Sequence, residues 1–194
     1  IYSYTFDAAI DASFTGTMAV GIEGYREEKL SKVTEEILTI RDGGFNDIFY
    51  FDASGGQAAP RRSVVKLDGC NSCHGNLSVH SDRRKNPEYC VLCHNALQTD
   101  GSRRPADQGA AESIHFKRLI HKIHTGEDAS ENYTTWSSRP HDYSKVLFPG
   151  DRRNCAKCHI DGTQQLPLPT GVEATLAPRS LINPLQPAAA ACLS

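Results

Sequence analysis

The chain has 194 residues, a formal net charge of -2 and a sequence pI near 6.5. The length allows one domain, or one and part of a second. The charge argues against nucleic acid as a main partner, because nucleic-acid-binding surfaces are strongly basic. Apolar residues make up only 39% of the chain. We therefore expect something other than side chains to fill part of its core.

The first part of the chain alternates apolar and polar residues as β-strands do. The predicted strands are 1–6 (IYSYTF), 18–25 (MAVGIEGY), 36–40 (EILTI), 47–51 (DIFYF) and 63–67 (SVVKL). Gly, Asp and Pro residues bound them, as in short antiparallel strands. We predict a small antiparallel β domain, or part of one, over residues 1–67, with a split-barrel or Greek-key-like arrangement.

From residue 68 onward this alternation stops, and cysteines, histidines and Arg-Arg pairs appear. Only residues 113–125 predict a clear helix, since Leu119, Ile120 and Ile123 recur at helical spacing. The C-terminal stretch is rich in Pro and Ala and predicts an irregular segment or a linker. The whole fold is thus predicted to be mixed, with a second domain over residues 68–194 that has few short helices and little regular structure.

Six of the seven cysteines occur in three C-x-x-C-H motifs. The motifs are CNSCH (Cys70, Cys73, His74), CVLCH (Cys90, Cys93, His94) and CAKCH (Cys155, Cys158, His159). This is the attachment motif of c-type haem. Two thiols one helical turn apart each add to one vinyl group of the same haem, and the adjacent histidine becomes the proximal iron ligand. Three motifs predict three covalently bound haems c.

Zinc binding is the alternative role of the first two cysteine pairs. Sixteen residues separate Cys73 from Cys90, a spacing that also fits a zinc ribbon. The third pair would then have no partner pair, and the histidine that follows each pair would have no role. Redox dithiols leave the same histidines unexplained. Haem attachment is therefore the preferred interpretation.

The seventh cysteine stands near the end of the printed chain. Cys192, Leu193 and Ser194 match the first three positions of another C-x-x-C-H motif. The alternative is a single thiol near a C-terminus. We expect a motif that continues past Ser194 and would bind a fourth haem, because a chain that begins with Ile1 also looks internal at its start.

Each haem iron needs a second axial ligand. Met18 is the single methionine, so methionine ligation cannot be general. Five histidines lie outside the motifs: His80, His115, His121, His124 and His141. We therefore predict bis-histidine ligation, which lowers reduction potentials relative to His/Met cytochromes.

Three of these histidines are the predicted distal ligands. His121 and His124 lie three residues apart on the predicted helix and share a face, so one helix would cap two haems. A pair of solvated helix histidines is the alternative. His80 is predicted to bind a neighbouring haem, and the roles of His115 and His141 stay open. Four Arg-Arg pairs are suited either to haem propionates or to a solvated surface.

From about Gly43 to Thr170 the chain resembles the OmcA/MtrC family, the outer-membrane decahaem c-type cytochromes of metal-reducing bacteria. The resemblance rests on CNSCHGNLSVH, on IHFKRLIHKIHTGE and on VLFPGDRRNCAKCH. It implies the end of a split β-barrel domain followed by most of a pentahaem lobe. It also matches His80, His121 and His124 to the distal ligands of that family. Three complete motifs stand where the family has ten, so the chain resembles a fragment or a short relative.

We expect electron transfer rather than conversion of a substrate. The resemblance implies a bacterial protein exported to the periplasm, outer membrane or cell surface. It also implies other multihaem cytochromes or a membrane-side donor as partners, and an extracellular metal oxide, chelated metal or flavin as acceptor. A homo-oligomer or filament is a further expectation.

The alternative function is a multihaem reductase of nitrite, hydroxylamine or a sulfur oxyanion, which needs one iron with an open site. A purely structural role, in which the β region docks a partner, is the third possibility.

Overall fold

The computed structural model describes residues 3–31 and 37–192. Its strands are β1 (Thr17–Ile22), β2 (Tyr25–Ser31), β3 (Ile37–Gly43), β4 (Asp47–Asp52), β5 (Thr134–Trp136) and β6 (Pro140–Asp142). Its helices are α1 (Leu67–His74), α2 (Pro87–Cys93), α3 (Phe116–Thr125) and α4 (Ala189–Cys192). Among the described residues, no helix has the length and apolarity to cross a membrane.

The chain divides into two compact units. The first, called the β unit, contains the described residues up to 63 together with residues 78–89. The second, called the lobe, contains residues 64–77 and the described residues from 90 onward. The predicted domain boundary at residue 67 stays a prediction.

Two antiparallel strand pairs build the β unit. Strand β1 pairs with β4, and β2 pairs with β3. Strand β2 was not predicted from the sequence, because it is rich in charged residues and lacks apolar alternation. Its register places Arg26 opposite Asp42 and Glu27 opposite Arg41, and both pairs form ion pairs, at 3.0 and 3.3 Å. Opposite charges directly across a ladder add to its stability, beside the apolar cross-strand pair of Leu30 and Leu38.

The predicted strands at either end of the β region are not formed in the described residues. Residues 3–6 have no regular structure, and the first two residues of that prediction lie outside the described part of the chain. In the predicted strand at 63–67, Val65 makes a single antiparallel bridge with His159. The antiparallel β region and the few short helices are otherwise confirmed.

The C-terminal part of the lobe is irregular, as one of the two alternatives predicted, but it is packed, so the linker alternative is wrong. Ala177, Leu185 and Ala190 are buried together, with at most 4% of each exposed. Thr175 pairs with Leu185 as an antiparallel bridge. Helix α4 packs against α3. The apolar cluster is nevertheless small, since two of its three members are alanines.

Much of the lobe interior is polar instead. The Asp100 carboxylate is 2% exposed and pairs with Arg104 through two hydrogen bonds, of 3.1 and 2.8 Å. It also accepts hydrogen bonds from the backbone N–H groups of Glu112 and Trp136. The buried Tyr133 hydroxyl donates to the Ser113 carbonyl oxygen at 2.7 Å. This network satisfies groups whose burial would otherwise be costly.

Helix α3 begins at Phe116, three residues later than predicted. Its most buried side chains are Arg118 and Lys122, at 6% and 5% exposure, and Arg118 lies 3.5 Å from the Glu112 carboxylate. The apolar stripe predicted for this helix is only half-buried: Leu119, Ile120 and Ile123. Protein side chains therefore enclose the charged face of α3 more completely than its apolar face.

Candidate functional site

The first motif lies on α1. Cys70 and Cys73 are one helical turn apart on this helix, with Cys70 half-buried and Cys73 exposed. His74 is the last helical residue, and Gly75 ends the helix with a φ of 68°. That left-handed conformation suits glycine and turns the chain sharply away after the histidine. The motif therefore presents two thiols and an imidazole from one short helix.

The second motif begins on α2. Pro87 is the first residue of this helix, a position where its missing N–H costs no hydrogen bond. Cys90 and Cys93 again stand one turn apart, and His94 follows directly. The His94 Nδ1 lies 2.8 Å from the Ile114 carbonyl oxygen. A carbonyl can only accept, so Nδ1 carries the proton and Nε2 keeps a lone pair.

The third motif has a tighter backbone. Cys155–Lys157 form a 3-10 turn, and Cys158 and His159 follow it. The His159 Nδ1 lies 3.3 Å from the Thr163 hydroxyl oxygen, and that hydroxyl donates its own hydrogen to the Val64 carbonyl. Thr163 can therefore only accept from His159. The Nε2 atom of His159 is left as the basic nitrogen, as in His94.

Helix α3 anchors its two histidines in the same way. The Nδ1 atom of His121 lies 2.5 Å from the Lys117 carbonyl oxygen, and that of His124 lies 2.8 Å from the Ile120 carbonyl oxygen. Both rings therefore donate from Nδ1 and keep a lone pair on Nε2. An imidazole held by its other nitrogen in this way is the usual arrangement of a metal ligand.

Electrostatics favour the neutral form of one of these rings. Burial lowers the pKa of His124, and the nearby His74 and His121 rings lower it further. The hydrogen bond to the Ile120 carbonyl acts in the opposite direction. Because only a neutral imidazole can bind a metal through Nε2, the environment favours the ligating form.

The structure brings each α3 histidine close to a motif histidine. The ring centroids of His74 and His124 are 6.1 Å apart, with an angle of 75° between the ring planes. Those of His121 and His159 are also 6.1 Å apart, with an interplanar angle of 32°. Two of the three motif histidines thus face α3 inside the lobe.

The first and third motifs also lie side by side. A Cβ atom at Gly69 would lie 2.8 Å from the Lys157 carbonyl oxygen and 3.3 Å from the Cys158 Cα. Burial raises the pKa of the Cys70 thiol, and the neighbouring Cys158 thiol raises it further. The two motifs therefore share one compact region of the lobe, and a glycine allows their backbones to approach.

The remaining candidate residues lie elsewhere. His80 is exposed and belongs to the β unit. In the lobe, the His115 Nδ1 lies 2.8 Å from the Thr175 hydroxyl oxygen, and the His141 Nε2 lies 2.7 Å from the Ser137 hydroxyl oxygen. Cys192 is exposed at the end of α4.

Each Arg-Arg pair has at least one member bound to a protein carboxylate. The ion pairs are Arg61–Glu88, Arg84–Glu23, Arg104–Asp100, Arg152–Asp128 and Arg153–Asp151. Arg104 is the most buried of these, since its side chain is 5% exposed. The buried Arg104–Asp100 pair therefore has a structural role, whereas the exposed pairs contribute little to stability.

The sequence analysis did not identify two residues of the site. Thr163 fixes the tautomer of His159, and Gly69 permits the contact between the first and third motifs. The position of Thr163, four residues after its histidine, was the available signal, because that spacing suits a local side-chain contact. Gly69 gave a weaker signal, as glycine beside a motif has many explanations.

The donor set fits haem c. Each motif offers two thiols at C-x-x-C spacing that form no disulfide, and the described hydrogen bonds leave Nε2 basic in His94, His121, His124 and His159. The half-buried apolar stripe of α3 suits contact with a large apolar ring. Within residues 3–31 and 37–192, no three or more His, Cys, Asp or Glu side chains gather into a site for a metal ion alone.

Comparison with known proteins gives the family. The family model described as outer membrane cytochrome MtrC/MtrF-like, domains II/IV, matches residues 62–194. No curated protein and no solved structure matches the chain. The family match confirms the resemblance and, with it, electron transport, haem c binding and export to the outer membrane or cell surface. It also implies other cytochromes and extracellular acceptors as partners. The chain belongs to the MtrC/MtrF-like family of multihaem outer membrane cytochromes.

Proposed function

We propose that this chain conducts electrons through three closely spaced haems c with bis-histidine ligation, towards an acceptor outside the cell. The acceptor classes are a metal oxide, a chelated metal or a flavin. The single observation that carries the proposal is the pairing of His74 with His124 and of His121 with His159 in the lobe.

The distance between these rings suits two imidazoles that would hold one iron. An imidazole nitrogen binds a first-row metal at about 2 Å, so two rings on opposite sides of one ion have centroids about 6 Å apart. Both pairs have centroids 6.1 Å apart. In the proposal, His74 and His159 are proximal ligands because they follow their cysteines directly. His124 and His121 are the corresponding distal ligands.

Helix α3 carries two of the proposed distal ligands a short distance apart. Its two histidines are three residues apart, which on an α-helix is a rise of about 4.5 Å. They thereby tie the first and third motifs to one rigid element and fix the spacing between those two haem sites. When bound, haem supplies an iron that changes reversibly between the ferric and ferrous states. The protein contributes fixed ligands, so little rearrangement accompanies each change.

His80 completes the proposed ligand set, with His94 as the proximal ligand of the second motif. His80 is exposed and belongs to the β unit. The proposal for His80 therefore rests on the surplus of histidines and on the family resemblance.

The visible spectrum of the dithionite-reduced holoprotein, taken before and after addition of carbon monoxide, tests the proposal. Carbon monoxide binds ferrous haem only where an axial position is open. The proposal predicts an unchanged low-spin spectrum at three haems per chain, counted by intact mass. A clear carbon monoxide shift in the unmodified protein would reveal an open iron and would favour a multihaem reductase.

A further inference from the structure

The segment that carries His80 has an unusual backbone. His80, Ser81 and Asp82 have φ values of 53°, 61° and 63°, and none of them is a glycine. A left-handed conformation is unfavourable for most residues other than glycine. Three in succession persist only where surrounding contacts hold them. Strain of this kind is often found where a side chain must point in one defined direction.

Those contacts come from the β unit. Asn46 is 0% exposed, and its side chain binds the segment just after the strained turn. Its Nδ2 donates to the Arg83 carbonyl oxygen at 2.8 Å, and its Oδ1 accepts from the Lys85 backbone N–H at 2.8 Å. The Asn46 carbonyl oxygen accepts from the Asn86 side chain at 3.1 Å. One buried side chain of the β3–β4 turn therefore holds the returning segment by its backbone.

Gly43, at the end of β3, makes the closest approach. A Cβ atom at this position would overlap the Asp82 carbonyl oxygen and would lie 2.9 Å from the Asp82 carbonyl carbon. It would also lie 3.1 Å from the Arg83 Cα. The obstructing atoms are backbone, which cannot swing aside as a side chain can. The Gly43 carbonyl also accepts a hydrogen bond from the Lys85 Nζ at 2.7 Å.

We propose that Gly43 and Asn46 are positioning residues that hold His80 for axial ligation of a haem iron. This inference rests on the proposed role of His80 as a distal ligand. Gly43 lets the strained turn lie directly against β3, and Asn46 fixes the chain that leaves the turn.

The experiment compares three variants of the full holoprotein: His80→Ala, Gly43→Ala and Gly44→Ala. Gly44→Ala is the matched control, since a Cβ atom there would lie 3.6 Å from the Gly24 carbonyl oxygen, an ordinary contact. The readouts are the amount of carbon monoxide bound by the reduced protein and the reversal of that binding by added imidazole. Intact mass confirms equal haem loading, and far-ultraviolet circular dichroism confirms folding.

We expect carbon monoxide binding to rise from none to about one equivalent per chain in both His80→Ala and Gly43→Ala, and to remain absent in Gly44→Ala. If His80→Ala binds carbon monoxide and Gly43→Ala does not, the positioning inference is wrong while the ligand role stands. If His80→Ala binds none, the ligand role itself is wrong. Should Gly43→Ala fail to fold, Asn46→Ala decides, because it removes the hydrogen bonds of the Asn46 side chain without adding atoms. Unchanged ligation in Asn46→Ala would overturn the inference.

Discussion

The β unit and the lobe are stabilised in different ways. Strands β1–β4 form regular ladders whose pairing follows from side chains on the strands themselves, including ion pairs such as Arg26–Asp42. The lobe has short helices, a small apolar cluster and a buried ionic network around Asp100. Its apolar helix stripe is only half-buried. The comparison indicates that local sequence pattern specifies much of the β unit, whereas the proposed haems would complete the packing of the lobe.

The largest expected effect is the loss of one haem from the lobe. In a variant with Cys155→Ser and Cys158→Ser, no thiol of the third motif remains to join a vinyl group. Intact mass should fall by one haem, and the lobe should lose thermal stability because that haem also packs its interior. Amide exchange in β1 and β4 should stay unchanged. Equal loss of protection in both units would contradict the proposed difference between them.

Gly69→Ala tests the packing of the lobe and leaves every proposed haem ligand in place. The new methyl group would press against the Lys157 carbonyl oxygen, so the contact between the first and third motifs must open. Overpacking of this kind costs about 1–3 kcal/mol. Chemical denaturation followed at the haem absorbance measures the change. Gly24→Ala, where a Cβ atom meets nothing within 4 Å, is the control and should leave that transition in place.

The sequence predicted the β unit better than the lobe. Apolar alternation identified β1, β3 and β4 to within a few residues, but it missed β2, whose residues are mostly charged. In the lobe, α3 was found from its apolar spacing. Helices α1 and α2 were missed because the sequences around their C-x-x-C-H motifs show no apolar periodicity. Pro87 at the start of α2 was a usable signal, since proline favours the first helical position.

The site shows the same contrast. The C-x-x-C-H motifs could be read directly, because covalent attachment needs fixed spacing. The pairing of His124 with the first motif and of His121 with the third depends on long-range packing, which no local pattern contains. The buried charge on Arg118 and Lys122 was equally unpredictable, because burial of a cation depends on distant partners such as Glu112.

A smaller effect is expected from Tyr133→Phe in the lobe. The Tyr133 hydroxyl is buried and donates to the Ser113 carbonyl oxygen at 2.7 Å, so its removal leaves that buried acceptor without this donor. The free energy of unfolding of the lobe should fall by about 1–2 kcal/mol. Tyr143→Phe is the control, because it keeps the stack with Tyr133, whose ring centroid is 5.8 Å away. An equal loss in both variants would show that the hydrogen bond is not the cause.

The smallest effect belongs to the β unit. Glu23 pairs with Arg84, and the hydrogen bond from that guanidinium lowers the pKa of the Glu23 carboxyl group. The pair's contribution is therefore complete above the unfolded pKa of about 4.3 and is lost as the pH falls through the lower folded value. Arg84→Met should reduce the stability of the β unit by about 0.5–1 kcal/mol at neutral pH, and by less in acid. Amide exchange measures the change at both pH values.

Arg26→Met is the matched control for this variant. Arg26 forms its ion pairs at an exposed position, where solvent and salt weaken them. Amide protection should therefore change less than in Arg84→Met. A larger effect from Arg26→Met would show that the exposed ladder charges, rather than the half-buried pair, hold the β unit together.

The central claim is that α3 caps two haems, one with each of its histidines. The most direct test is electron paramagnetic resonance of the oxidised holoprotein in His121→Ala, His124→Ala and the double variant. The proposal predicts that each single variant converts one low-spin haem to high spin, that the two converted haems differ, and that the double variant converts both. A fully low-spin spectrum in both single variants, with haem loading unchanged, would contradict the claim.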